Sequence, residues 1–232
     1  MCGRFTLKTP APMIAELLGL EPPGPRQLEL FAPRYNIAPT QDVAVVRTAT
    51  GGGREAVGMR WGLIPSWSKE LPKSAPLINA RSESLTEKPT FRGPLKRTRC
   101  LIPADGFYEW TTEGKRKQPH YIRFPDGRLY AFAGLWDRWR GPGGAGPVIE
   151  SCTILTTAAN AQLAPLHDRM PVILAPGDYD LWLDGAVENA DDLRHLFDPL
   201  PAGELAIDPV DPRVNKVAND DPQCVTVQRS LF

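Results

Sequence analysis

Proline punctuates this chain. It holds 25 prolines in 232 residues, about twice the usual ~5%. Proline fixes φ and removes a backbone donor, so it ends helices and stays out of central strands. Long helices are therefore excluded, and much of the chain must be turns, extended segments and short elements. Hydrophobic residues at 42% and charged residues at 23% still suffice for a folded core. No run reaches the ~18 apolar residues of a membrane helix. Residues 1–8, MCGRFTLK, contain no apolar signal region. The expected location is the cytoplasm, or the nucleus or nucleoid. Cys2, Cys100, Cys152 and Cys224 lie far apart with no CxxC pair, so neither a metal site nor a disulfide framework is expected.

Met13, Ile14, Leu17 and Leu18 recur at helical spacing and predict a short amphipathic helix over 10–20. The β-branched run 43–48, the glycines at 51–53 and the stretch 54–60 predict a hairpin with a flexible tip. Residues 22–25 and 65–76 read as loops, the second carrying Trp67. Strands are predicted over 100–103, 106–110, 119–124, 129–136, 148–156 and 171–174, with turns at 112–117 and 141–147. Helices are predicted over 158–166, 177–183 and 190–197, and final strands over 207–210 and 224–227. Without repeats or a clean linker, one domain spanning 1–232 is expected. Strand signals outnumber helices and do not alternate with them. The fold class is therefore α+β, a single domain with a central antiparallel, barrel-like β core and short peripheral helices.

Lys plus Arg and Asp plus Glu each total 27, a net charge of zero. That excludes a uniformly basic binder of the histone kind. The cancellation is uneven, however. Residues 47–123 carry 15 basic and seven acidic side chains, a net of +8, while 124–232 carry eight and 16, a net of −8. The tightest basic run is Arg92, Lys96, Arg97 and Arg99. Such a run is either a solvated surface or a phosphate-facing side.

Cys2 follows the initiator Met. A small second residue favours Met removal, which would give Cys2 a free α-amine beside its thiol. With an amine pKa of ~7.7–8.0, roughly 10–20% is uncharged at pH 7. A neutral amine attacks an aldehyde to give a Schiff base, and the thiol then closes a five-membered thiazolidine. The alternative is a thiol that merely packs. Gly3 permits close backbone approach, and Arg4 places a positive charge nearby. Further on, polar clusters interrupt apolar strands: INARSE at 78–83, PADGFYEW at 103–110 and HDRMP at 167–171. Glu109 lies between two aromatics, whose desolvation would raise its pKa into the range for proton transfer; otherwise it is a paired strand carboxylate. His167 either shuttles protons or is a capped loop residue. Asn79 orients a reacting group or is structural. Arg81 and Arg169 hold phosphates or pair with acids.

These pieces resemble the SRAP (SOS response-associated peptidase) family of abasic-site processing proteins. The matching segments are MCGRF (1–5), RYNIAPTQ (34–41), RWGLIPSW (60–67), INARSE (78–83), CLIPADGFYEW (100–110), AFAGLW (131–136), TTAAN (156–160), HDRMPVIL (167–174) and VNKVAND (214–220). The resemblance implies a protein that binds single-stranded DNA and cross-links Cys2 to the open-chain aldehyde of an abasic site. It also implies a peptidase activity, with removal of Met1 by the chain itself as one suggestion. Cys2 is then the nucleophile, Asn79 positions the Cys2 end, Glu109 is the acid/base, and His167 assists proton transfer and reversal. Arg81 and Arg169 contact phosphates, with Arg4 as helper; Asn36 and Pro39, in RYNIAPTQ, join the DNA-binding set. Trp67 stacks a base and Pro39 offers a second apolar platform. Family members often carry another aromatic after this Trp; Ser68 stands there instead. The expectation is a monomer without metal or cofactor.

Two other classes compete. Class II glutamine amidotransferases also begin Met-Cys-Gly, but Arg4 replaces their usual apolar residue and their later Asn-Gly and Ser-Asp-Thr signatures are missing. A non-covalent single-strand binder would not need Cys2, Asn79, Glu109 and His167 together.

Overall fold

The computed structural model describes residues 2–72, 75–114 and 116–228. Its elements are short, as the proline content requires. The chain opens with β1 (Phe5–Leu7), α1 (Ala11–Leu17), α2 (Pro25–Leu30), β2 (Arg34–Ile37) and the hairpin of β3 (Asp42–Thr48) and β4 (Arg54–Trp61). A long loop leads to β5 (Asn79–Arg81) and α3 (Pro89–Arg97). Next come β6 (Arg99–Ala104), β7 (Gly106–Glu113), β8 (Arg116–Arg123), β9 (Tyr130–Trp139) and β10 (Ile149–Ala158). The chain continues through β11 (Arg169–Pro171), β12 (Ile173–Leu174), α4 (Tyr179–Leu183) and β13 (Ala206–Pro209). Proline occupies the first turn of α1, α2 and α3, where its missing N–H costs no helical bond.

Five strands close into a barrel in the order β10–β4–β3–β6–β9, with β9 pairing back to β10. An odd ring cannot alternate direction throughout. One seam must be parallel, and it is β4–β10, with Arg60 opposite Ser151 and Trp61 opposite Cys152. The core is thus mixed rather than purely antiparallel. Past Gly134–Ile154 the strands β9 and β10 diverge, and residues 169–174 fill the gap. There Val172 donates its N–H to Leu155 and accepts from Ala133. The barrel is apolar inside: every residue of β6 is buried. Phe5 packs edge-on against Trp61 and Phe132, ring centroids 5.1 and 5.8 Å away.

A second, five-stranded antiparallel sheet runs β13–β8–β7–β1–β2. The Tyr121 ring lies over Gly106, where a Cβ would stand 2.2 Å from it. Only glycine admits that contact, and it fixes where β7 begins.

The predicted hairpin at 43–60 and most of the apolar strands stand as β3, β4, β6, β7, β8, β9 and β10. Several expectations are corrected. Residues 160–166 form successive turns rather than a helix. The Asn160 Oδ1 accepts from the backbone of Gln162 and Leu163, and Pro165 ends any helical run. The segment 190–197 is a 3₁₀ helix. Of the strand expected at 224–227, residues 224–225 belong to a 3₁₀ turn, Pro222–Val225, capped by Asp221, and Val227 forms a single antiparallel bridge with Val210. The turn expected at 112–117 is narrower, since β7 reaches Glu113 and β8 starts at Arg116. The elements β1, α2, β2, β5 and α3 escaped prediction. No described helix is long and apolar enough to cross a membrane.

Candidate active site

The site is assembled on β1, an interior strand of the second sheet. Asp105 holds that strand. Its buried carboxylate accepts the Thr6 hydroxyl at 2.6 Å, the backbone N–H of Lys8 at 2.6 Å and of Thr9 at 2.8 Å, and the Thr9 hydroxyl at 2.8 Å. The Tyr108 N–H donates to the Arg4 carbonyl at 3.0 Å, which lays residues 2–4 beside β7. Asn79, on β5, donates its Nδ2 to the Cys2 carbonyl at 3.0 Å. The loop before β5 is fixed in turn, because Trp61 Nε1 donates to the Ile78 carbonyl at 3.0 Å.

Cys2 is fully buried. Burial first, and then the nearby charge of Glu109, push its thiol well above the ordinary value, so the sulfur is held as the neutral thiol. Glu109 is itself only 4% exposed. Burial pushes its carboxyl up, partly offset by charge interaction with His167. Charge coupling therefore links Cys2 to Glu109 and Glu109 to His167. The physical cause differs from the sequence expectation. Alternation along β7 sends Tyr108 and Trp110 to the opposite face, where they pack together with Tyr121. The burial of Glu109 comes from its own face and not from its sequence neighbours.

His167 lies half-buried at the end of the 160–166 turns. Its Nδ1 accepts the Arg169 N–H at 2.9 Å, which leaves the proton of the neutral ring on Nε2. Asp168 Oδ1 lies 2.8 Å from the same Nδ1, an attraction available only to the protonated ring. The Arg169 guanidinium forks onto Glu83 at 2.6 and 2.8 Å and donates to the Thr156 carbonyl at 2.6 Å. Glu83 is held below the usual carboxylate range, chiefly by hydrogen bonding to Arg169. Arg81 is exposed and makes no ion pair among the described residues. The two arginines sit on strands at opposite edges of β10, with Arg81 opposite Thr156 and Arg169 opposite Ala158.

The structure thus brings Cys2, Asn79, Glu109 and His167 together. It does not support Asn36 as a nucleic-acid contact. Asn36 is fully buried, and its Nδ2 donates to the carbonyls of Val214, Lys216 and Asn219. Its Oδ1 accepts from Arg4 at 2.7 Å, so nothing remains for a ligand. Arg4 also donates to the Val214 carbonyl at 2.8 Å and lies 5.9 Å from the centre of the Trp110 ring. Burial lowers its pKa. Pro39 is half-buried and lines a cavity of about 380 Å³ with Gly3, Arg4, Trp110, Lys117 and Asn215. Trp67 is 65% exposed. Its loop is tied to β9, the Ser66 N–H donating to Asp137 at 2.7 Å and Trp139 Nε1 to the Ser68 carbonyl at 2.7 Å.

Sequence reasoning missed Asp105 and Trp110 as working parts, although both stand inside PADGFYEW. All four cysteines are buried free thiols. Among the described residues, no group of three or more His, Cys, Asp or Glu could hold a metal ion.

Comparison with known proteins bears on the family and the fold. The family model described as SOS response associated peptidase (SRAP) matches residues 1–217. The chain is similar to "Abasic site processing protein YoqW" of Bacillus subtilis, 39% identical over 230 residues, covering 97% of this chain and 99% of that protein. It is also similar to "Abasic site processing protein HMCES" of Gallus gallus, 35% identical over 226 residues, covering 84% of this chain and 66% of that one. A crystal structure of a protein from Bacteroides thetaiotaomicron superposes with a TM-score of 0.83 at 25% identity, covering 98% of this chain and 100% of the other.

Proposed function

The chain belongs to the SOS response associated peptidase (SRAP) family, and on that premise we propose that it processes abasic sites in single-stranded DNA by covalent capture at Cys2. The carrying observation is the convergence of Cys2 with Asn79, Glu109 and His167.

The reaction starts once Met1 has been removed. The Cys2 α-amine attacks the C1′ aldehyde of the ring-opened abasic sugar, and loss of one water gives an imine. The Cys2 sulfur then adds to the imine carbon and the thiol proton passes to nitrogen, closing a thiazolidine. Amine attack comes first because burial holds the sulfur as a thiol. Glu109, weakened as an acid by its burial, is suited to donate a proton to the departing hydroxyl and to take one back as the sulfur adds. His167 supplies a second proton relay beside it. Asn79 holds the Cys2 carbonyl, which limits rotation of the nucleophile and favours ring closure. Arg81 offers an exposed cation to a phosphate, Arg169 and Arg4 add positive charge beside it from within their internal bonds, and Trp67 stacks a neighbouring base.

Intact-mass spectrometry tests this directly. Incubation with an abasic oligonucleotide should yield an adduct equal to the Met1-free protein plus the oligonucleotide minus one water. Tight binding with no adduct would leave only a non-covalent single-strand binder.

A further inference from the structure

A groove beside Trp67 is not used by any step above. It encloses about 430 Å³ between the Trp67 loop and α3, with Arg92, Gly93, Lys96 and Arg97 along the helix and Asp137 at the side. Phe91 and Leu95 anchor the other face of α3 in the core. This leaves Arg92, Lys96 and Arg97 exposed, and none of them makes an ion pair among the described residues. Asp137 accepts the backbone N–H groups of Ser66 and Arg138 and pairs with none of the three cations, which outnumber its single charge.

Several features favour an anion in the groove. Arg92 and Lys96 stand one helical turn apart, where like charges repel. The helix dipole accounts for cations in the last turn, Lys96 and Arg97, but not for Arg92. Gly93 weakens the helix, yet a Cβ there would meet only the mobile end of Arg97 at 3.6 Å. Packing does not require glycine; its effect is to leave the groove floor open. Across from these cations stands the exposed Trp67 indole. Cations tracking a backbone opposite an aromatic platform are the features that bind single-stranded nucleic acid without sequence preference.

We propose that α3 is a phosphate track for the single strand flanking the abasic nucleotide, with Arg92, Lys96 and Arg97 on successive phosphates and a flanking base on Trp67. This rests on the reading that the chain acts on abasic single-stranded DNA. The track extends the site beyond the reacting nucleotide and supplies affinity for undamaged flanking strand.

The test compares the wild-type protein with R92A/K96A/R97A and with Gly93→Glu, whose carboxylate enters the same groove. Binding of a long undamaged thymidine oligomer is followed by fluorescence anisotropy across a salt series. Removing three phosphate contacts should lower the slope of log affinity against log salt by about 2. Gly93→Glu should weaken binding in the same direction. Thermal melting confirms that both variants fold. A short abasic oligomer, confined to the reacting nucleotide and its immediate neighbours, should cross-link to the same final yield in all three proteins. An unchanged slope with normal cross-linking overturns the track alone. A loss confined to duplex DNA, with single-strand binding intact, overturns it as well. Absence of cross-linking in every protein, with the slope still reduced, removes the covalent reading and leaves the track standing.

Discussion

Asn79 Nδ2 reaches the Cys2 carbonyl at 3.0 Å from a strand 77 positions further along the chain. The bond joins the proposed nucleophile to β5, which is itself laid along β10. Asn79→Ala should therefore slow adduct formation without abolishing it. The range runs from ~5-fold, if only a hydrogen bond of about 1 kcal/mol is lost, to ~100-fold if Cys2 shifts by about 1 Å. Single-turnover cross-linking measures this, with thermal melting as the control for folding. An unchanged rate would make the contact incidental.

Cys2→Ser keeps the amine and replaces the sulfur. The imine should still form and be trapped by borohydride, while the heat-stable adduct seen without reductant is lost. Trapping by the wild-type protein alone would show that sulfur acts before the amine and would reverse the order of steps.

Glu109→Gln separates chemistry from stability. Because the folded carboxyl is a weaker acid than in the unfolded chain, ionising it opposes folding. The neutral form's advantage is fully present below the ordinary glutamate value of ~4.3. It is lost as pH rises through the elevated folded value. Glu109→Gln should therefore melt at or above the wild-type temperature at neutral pH and lose that margin in acid, while cross-linking slows ~10²–10⁴-fold. The fall in wild-type rate as pH rises through the elevated Glu109 value should vanish with it. A destabilised variant at neutral pH would contradict this assignment of charge cost.

Asp105→Asn should strike stability. Asparagine turns one acceptor into a donor facing N–H groups of Lys8 and Thr9 and the hydroxyls of Thr6 and Thr9. Losing charged hydrogen bonds of ~1.5–3 kcal/mol each makes a net cost on the order of 3 kcal/mol reasonable, equivalent to a melting shift of roughly 6–12 °C. Calorimetry reads it, and DNA capture should fail in parallel as β1 loosens.

Arg81→Ala removes an exposed cation that carries no structural bond through its side chain. The salt slope for single-stranded DNA should fall by about 0.7 with melting unchanged. Arg169→Ala should differ, costing stability too, because Arg169 is spent on Glu83 and Thr156.

How much of this was legible depended on the kind of signal. The hairpin at 43–60 and the strands around FYEW advertise themselves by apolar runs, and the fold places them as read. Helix α3 was invisible because Pro89, Gly93 and Pro94 deprive it of helix propensity; it forms because Phe91 and Leu95 are buried. The segment 160–166 misled in the opposite way, since its alanines and leucines suit a helix that Asn160 and Pro165 forbid. Among site residues, Cys2, Glu109 and His167 announce themselves by chemistry, whereas Asn36 shows why a motif residue need not touch a ligand. Its role, tying Arg4 to the 214–219 loop, depends on partners some 180 positions away and has no local signature. Asp105 was hidden likewise, because its partners in β1 lie at the other end of the sequence.

The placement of β1 between β2 and β7 also decides how the protein bears load. A terminal strand bonded along both edges cannot be peeled away one bond at a time when tension acts along it; both rows must shear together. On the proposed reading, DNA joined at Cys2 would therefore pull on the second sheet through an anchored strand rather than a slack tail. A translocating motor meeting the adduct would face the unfolding rate of the whole sheet, so mechanical removal from the DNA end would be slow. Digestion entering at sites remote from Cys2 offers the easier way to dismantle it.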